Sequence, residues 1–137
     1  MFARLVLAIL VISGAATGAV AQSASRSTVS AATPTPDDRA KQWLVLVDDK
    51  NYAQSWSEAA KAFQNRQKTD AWAARADVER APLGAVASRD LKSVDLSRGN
   101  TAIVRYDTVF AHKAAAVETV TLTFEKGGWA VTDYSVH

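Results

Sequence analysis

The chain contains no cysteine and only two histidines among its 137 residues. The first absence excludes disulfides, Cys-ligated zinc, iron–sulfur clusters and thiol catalysis. The second leaves His112, beside a loop, and His137, at the chain end, as the only imidazoles. No H-x-H, H-E-x-x-H or Asp-rich calcium loop accompanies them, so neither a metal nor a cofactor is expected. A G-x-S-x-G elbow, a Gly-rich phosphate loop and internal repeats are missing as well. Charge of one sign is also scarce. The formal net charge is +2, but the excess comes from Arg4 and Arg26, both upstream of the first acid, Asp37. From Thr35 onward 14 basic residues face 14 acidic ones. A nucleic-acid binder needs a basic face to neutralise phosphates, so no nucleic-acid partner is expected.

What is present begins with an address. Arg4 precedes an unbroken apolar run, Leu5 to Ile12, and Ala19-Val20-Ala21 has the A-x-A form of a cleavage site. Residues 1–21 therefore read as a secretory signal peptide cut after Ala21. The apolar stretch is too short to span a bilayer, and no Cys follows it to carry a lipid. The expected address is periplasmic or secreted, with no stable membrane anchor after cleavage. Residues 22–34 are rich in Ser, Ala and Thr and lack a hydrophobic period, as in a flexible linker. The remaining residues, 35–137, are the size of one domain.

The domain opens with helical signals. Thr35-Pro36-Asp37-Asp38 combines an N-cap, Pro at the first helical position and acids on the positive end of the dipole. Ala40, Trp43, Leu44 and Val47 then recur at helical spacing and predict one buried stripe. Asn51 to Gln54 has the form of a second capping box, followed by a stripe of Tyr52, Trp56, Ala59, Ala60 and Phe63. Thr69-Asp70 starts a third helix through Trp72 and Ala76, which Pro82 and Gly84 end. From Ala85 the pattern turns to strands: 85–96, 101–112, 116–126 and 129–136. A turn at Arg98-Gly99-Asn100 and a two-residue Gly127-Gly128 loop separate them. The expected fold class is α+β, with about three N-terminal helices packed on one face of a curved four-stranded antiparallel meander.

Side-chain faces follow from the last hairpin. If Gly127-Gly128 is the turn, residue 122 pairs with 133. Val120, Leu122 and Phe124 then share the inner face with Trp129, Val131 and Asp133. Thr119, Thr121, Thr123, Thr132 and Tyr134 take the outer one. Burial of Asp133 would raise its pKa and fit it for general base work. Trp129 is a candidate cavity-rim residue, while Trp43, Trp56 and Trp72 read as core. Arg80 and Arg89 flank Pro82-Leu83-Gly84. They could clamp an oxyanion bidentately, or pair with Asp77, Glu79 or Glu118 and tie the helix end to the sheet. The candidate ligand-binding set is Trp129, Asp133, Tyr134, Arg80 and Arg89.

An ordered set of short motifs runs through the domain: Trp43-Leu44 with Asp48, Tyr52 and Trp56; Arg80-Ala81-Pro82-Leu83-Gly84 with Arg89; Tyr106-Asp107-Thr108-Val109-Phe110 before Glu118-Thr119; and Gly128-Trp129-Ala130-Val131 before Tyr134. The set resembles the bacterial domain-of-unknown-function family numbered 4019, small secreted proteins, over about residues 38–136. The polar first strand, with Lys92, Ser93 and Asp95, departs from that pattern. The helix-then-curved-sheet order is also similar, by fold analogy, to the cystatin-like and nuclear-transport-factor-2-like cone folds, and since the family carries no established activity the resemblance brings no catalytic residues with it.

With no catalytic constellation in view, the expected function is a non-enzymatic exported domain. It would bind a small apolar ligand or an envelope protein between helices and sheet, or through the Thr-rich face. The alternative is a small isomerase or lyase with Asp133 as base and a Tyr as polariser. A structural or assembly factor of the cell envelope is a third class.

Overall fold

The structure is a computed structural model that describes residues 31–137; the expected signal peptide and the first part of the linker lie outside the described residues. Helix α1 (Pro36–Asp48) starts as its sequence dictates. Thr35 accepts from the Asp38 amide while the Asp38 carboxylate accepts from the Thr35 amide, a reciprocal capping box. All four residues of the expected stripe, Ala40, Trp43, Leu44 and Val47, are buried. The helix ends in a Schellman motif: the Asn51 amide bonds the Leu46 carbonyl at 2.7 Å and the Lys50 amide bonds the Val47 carbonyl at 3.1 Å. The left-handed residue in that motif is usually glycine, yet here it is Lys50, with φ 58°.

The expected second helix is two. Helix α2 (Tyr52–Glu58) and α3 (Lys61–Arg66) are separated by Ala59 and Ala60, both extended. The break has a partner, since the Ala60 amide donates to the Val131 carbonyl of the sheet at 2.8 Å. The Gln64 amide group then takes up the freed carbonyls of Trp56, Ser57 and Ala59. Nothing local in Ala-Ala signals such a break; a tertiary bond outweighs propensity. The expected capping box at Asn51 does not form, because its side chain donates to Gln54 Oε1 at 2.8 Å instead of capping the backbone. Helix α4 (Thr69–Arg80) has Lys68, not Thr69, at its N-cap. A short 3₁₀ turn, Ala81–Leu83, carries the chain to Gly84. Gly84 has φ 77°, and a Cβ there would sit 3.0 Å from the Ala111 Cβ, so glycine is needed twice over.

Four strands follow: β1 (Val86–Arg98), β2 (Thr101–Phe110), β3 (Lys113–Glu125) and β4 (Gly128–Val136), in one antiparallel sheet of order β1-β2-β3-β4. The expected α+β fold class holds: helices first, then a curved meander whose inner face they cover. Ala102, Val104 and Tyr106 alternate inward from β2, and Ala116, Glu118, Val120 and Leu122 from β3.

The last hairpin corrects the expected register. Glu125 pairs with Gly128, so the turn is Lys126-Gly127, both with left-handed φ (51° and 80°), and Gly128 opens β4. Relative to a Gly127-Gly128 loop, β4 slides by two residues, and a slip of two preserves faces. Trp129 and Val131 therefore stay opposite Phe124 and Leu122 on the inner face. Then a bulge intervenes: Leu122 pairs with Val131 but Thr121 pairs with Asp133, leaving Thr132 extra. The added residue reverses everything after it. Tyr134 is buried and Asp133 is exposed, the opposite of the expectation.

The aromatic core is continuous. Trp43 packs at centroid distances of 6.1 Å from Phe63, 5.6 Å from Trp72 and 5.7 Å from Tyr134. Ser55, fully buried, accepts from both indoles: its carbonyl from Trp43 Nε1 at 2.8 Å and its hydroxyl from Trp72 Nε1 at 2.9 Å. Trp56 packs partly buried against the cluster. No helix among the described residues is long and apolar enough to cross a membrane.

Candidate functional site

Two carboxylates interrupt the apolar periods that build the core. Asp48 lies four residues after Leu44, on the buried edge of the α1 stripe. Glu118 lies in the inward row of β3 between Ala116 and Val120, and it is fully buried. Two guanidinium groups meet them. Arg89 of β1 donates from Nε to Glu118 Oε1 at 2.8 Å and forks onto Asp48 at 2.8 and 3.0 Å. Arg80, in the last turn of α4, donates to Asp48 Oδ1 at 2.6 Å and to the Tyr134 hydroxyl at 3.3 Å. The hydroxyls of Tyr134 and Thr108 donate to Glu118 at 2.8 and 2.7 Å. Glu118 thus accepts three hydrogen bonds, and two acids and two bases close a neutral quartet in the interior.

The electrostatics follow from pairing against burial. Burial alone would raise the Asp48 pKa, but the hydrogen bonds from Arg89 and Arg80 outweigh it and hold the carboxyl below its usual range. Burial would equally weaken the charge on Arg89, yet its bonds to Asp48 and Glu118 push its pKa up. Burial raises the Tyr134 hydroxyl, with the Glu118 charge adding to it. Tyr106 is raised too, by burial first and then by its 2.7 Å bond to Asp37 at the start of α1. These hydroxyls stay protonated and donating at neutral pH.

Beside the quartet lies a cleft of about 310 Å³, lined by Val47, Asp48, Lys50, Tyr52, Arg80, Ala81, Gly84 and Ala85. Two of its residues carry buried polar atoms with no hydrogen-bond partner, the Tyr52 hydroxyl and Arg80 Nε. A larger hollow of about 390 Å³ lies at one end of the sheet, lined mainly from its outer face, with Asp90, Lys92, Asp107 and His137 among its residues. Its charged groups are surface groups; Lys92 and Asp107, 2.9 Å apart, are both about half exposed. Among the described residues no group of three or more His, Asp or Glu side chains comes together as metal ligands do.

The structure scatters the expected site residues. Arg80, Arg89 and Tyr134 converge in the quartet. Trp129 sits at the β3–β4 end, against Phe124 at 5.3 Å, and lines neither hollow. Asp133 is exposed and within 3.7 Å of Arg66 and 4.0 Å of Arg75. It cannot serve as an interior base. Of the expected carboxylate partners for the two arginines, Glu118 is realised. Asp77 instead lies near Lys50 at 3.8 Å, and Glu79 pairs with Arg75 at 3.0 Å. The partner not expected is Asp48. Its signal was available: a carboxylate continuing a buried helical stripe needs a cation. Lys50 and Tyr52 had no such signal, because their role depends on the corner between α1 and α2.

The family model described as "Protein of unknown function (DUF4019)" matches residues 39–134. This chain belongs to that family. The matched span includes all of the quartet and the cleft. No curated protein matches the chain. Among solved structures, a nuclear-transport-factor-2-like protein of Campylobacter jejuni, named a candidate transpeptidase, is 19% identical with a TM-score of 0.50. The match covers 72% of this chain and 97% of that one. At that identity the likeness shows the fold alone: this family member has a nuclear-transport-factor-2-like fold. A second protein of that fold, of unknown function and from Silicibacter pomeroyi, is 11% identical with a TM-score of 0.39, covering 75% of this chain and 98% of its own.

Proposed function

We propose that this chain is an exported, non-catalytic domain that binds a small polar ligand in the cleft between the α1–α2 corner and the start of β1. One observation carries the reading: each acid and base inside is consumed by another. Glu118 accepts from Arg89, Thr108 and Tyr134, and Asp48 accepts from both arginines. A general base must be free to take a substrate proton, whereas Glu118 and Asp48 are held by cations, and the one buried carboxylate oxygen without a partner among the described residues, Glu79 Oε2, belongs to a residue outside the cleft lining. The quartet braces α1, α4, β1 and β3 around the space beside it. The open volume with unfilled polar groups is the cleft. An apolar ligand between helices and sheet is not favoured, because Trp43, Trp72 and Tyr134 fill that layer.

Export rests on the sequence of residues 1–21. Fractionation with N-terminal sequencing of the mature protein tests it, and the expected first residue is Gln22. For the binding reading, the purified protein is titrated with a set of small polar compounds while amide NMR signals are followed. Shifts grouped at residues 47–52 and 80–85 are expected. Turnover of any compound that is lost in Tyr52→Phe or Lys50→Gly would overturn the non-catalytic reading.

A further inference from the structure

Three locally unfavourable features meet at the cleft. Lys50 holds φ 58° in a Schellman motif where glycine is at ease. Tyr52 buries a hydroxyl with no partner, and Arg80 buries an Nε–H with no partner. All three residues line the same space. Costs of this kind cluster where function uses them.

The unused polar capacity is mainly donor capacity. The Lys50 ammonium offers donors only, held loosely by the exposed Asp77 at 3.8 Å. Burial and the nearby Asp77 raise the Tyr52 pKa, so its hydroxyl keeps its proton. Arg80 Nε is a donor by constitution. The carboxylate in the lining, Asp48, is already bound by three guanidinium hydrogen bonds. The Tyr52 hydroxyl can accept as well as donate, but the lining carries two cations, Lys50 and Arg80, against the one carboxylate, which favours an anionic acceptor over a neutral donor.

We infer that the cleft binds a small carboxylate, its oxygens taken by the Lys50 ammonium and, on a small shift of their side chains, by the Tyr52 hydroxyl and Arg80 Nε–H, which are closed to water in the free protein. This rests on the reading of the cleft as the ligand site and names the class of ligand. The volume suits a molecule of about fifteen heavy atoms or fewer.

The test uses N-acetylglycine as probe, with N-acetylglycinamide as its neutral match, at constant ionic strength. The carboxylate should shift the Lys50, Tyr52 and Gly84 signals saturably, and at least tenfold more tightly than the amide. Lys50→Gly and Tyr52→Phe should each weaken N-acetylglycine binding tenfold or more. Lys50→Gly should also raise Tm by about 3 °C, since it relieves a left-handed residue. A merely structural lysine would not give lower affinity together with higher stability. If both compounds bind equally, the site stands and the carboxylate assignment fails. If neither shifts the cleft, both readings fail. If the variants bind as the parent does, the named donors are wrong and the proposal is overturned.

Discussion

In one part of the interior, Trp43, Leu44, Phe63 and Trp72 of three helices meet as rings and branched chains. In the other, Asp48, Arg80, Arg89 and Glu118 meet as charges. The rings are sealed from water, the quartet is open to the cleft through Asp48, and the two hold the fold by different physics. The ring cluster draws on buried area, which has no direction and scales with surface removed from water. The quartet gains little over an apolar filling of the same shape, because desolvation offsets attraction. Its weight shows when one member is removed and the others are left buried without a partner. The lesson is that the ring cluster supplies stability, whereas the quartet supplies a fixed geometry where α1, α4, β1 and β3 meet.

The largest effects come from breaking either part. Arg89→Met should cost about 3–5 kcal/mol in urea unfolding, since Asp48 and Glu118 lose their shared cation. Trp43→Ala should cost a similar ~3–5 kcal/mol by leaving a cavity. Acid separates the two. The folded Asp48 pKa is lowered, so the stability it contributes is present above the unfolded value of 3.8 and lost as pH falls through the lower folded value. In Arg89→Met that contribution is reduced wherever Asp48 is ionised. Its deficit against the parent should therefore shrink below about pH 4, while the Trp43→Ala deficit stays constant. Parallel deficits in both variants from pH 7 to pH 3 would erase the distinction.

A smaller effect belongs to the α1 start. Thr35→Ala removes the reciprocal box with Asp38 and should cost about 1 kcal/mol, read as a lower urea midpoint. Smallest is Asp133→Asn. Exposed beside Arg66 and Arg75, it should change stability by less than ~0.5 kcal/mol and leave the spectrum of the quartet residues unmoved. A large loss there would return Asp133 to the interior that the sequence first suggested for it.

The ring cluster was legible in the sequence and the quartet only partly so, for a physical reason. Apolar periodicity reports which face of one element is buried, and the α1 stripe needed nothing more. The alternation in β2 and β3 was equally local. An ion network is assembled from elements distant in sequence, so a residue such as Asp48 shows its position but not its partner. The pair of Arg89 with Glu118 stood among the options beforehand, but beside Asp77 and Glu79, because a list of nearby acids does not say which one the fold brings within reach. The break at Ala59-Ala60 was hidden because its cause is the carbonyl of Val131. The face of Asp133 was hidden because one bulged residue, Thr132, outweighs a correct reading of the alternation before it. Lys50 was hidden because left-handed backbone at a non-glycine residue leaves no compositional trace.

The interior charges act as one locked unit. A double-mutant cycle on Arg89→Met and Glu118→Leu, by urea unfolding at pH 7, tests this most directly. The two groups are 2.8 Å apart, with Glu118 fully buried. The single variants should each destabilise, and the double variant should recover part of the loss, for a coupling of at least ~1.5 kcal/mol. Losses that add to within ~0.3 kcal/mol would mean that the two charges are held independently, and that the quartet is not a unit.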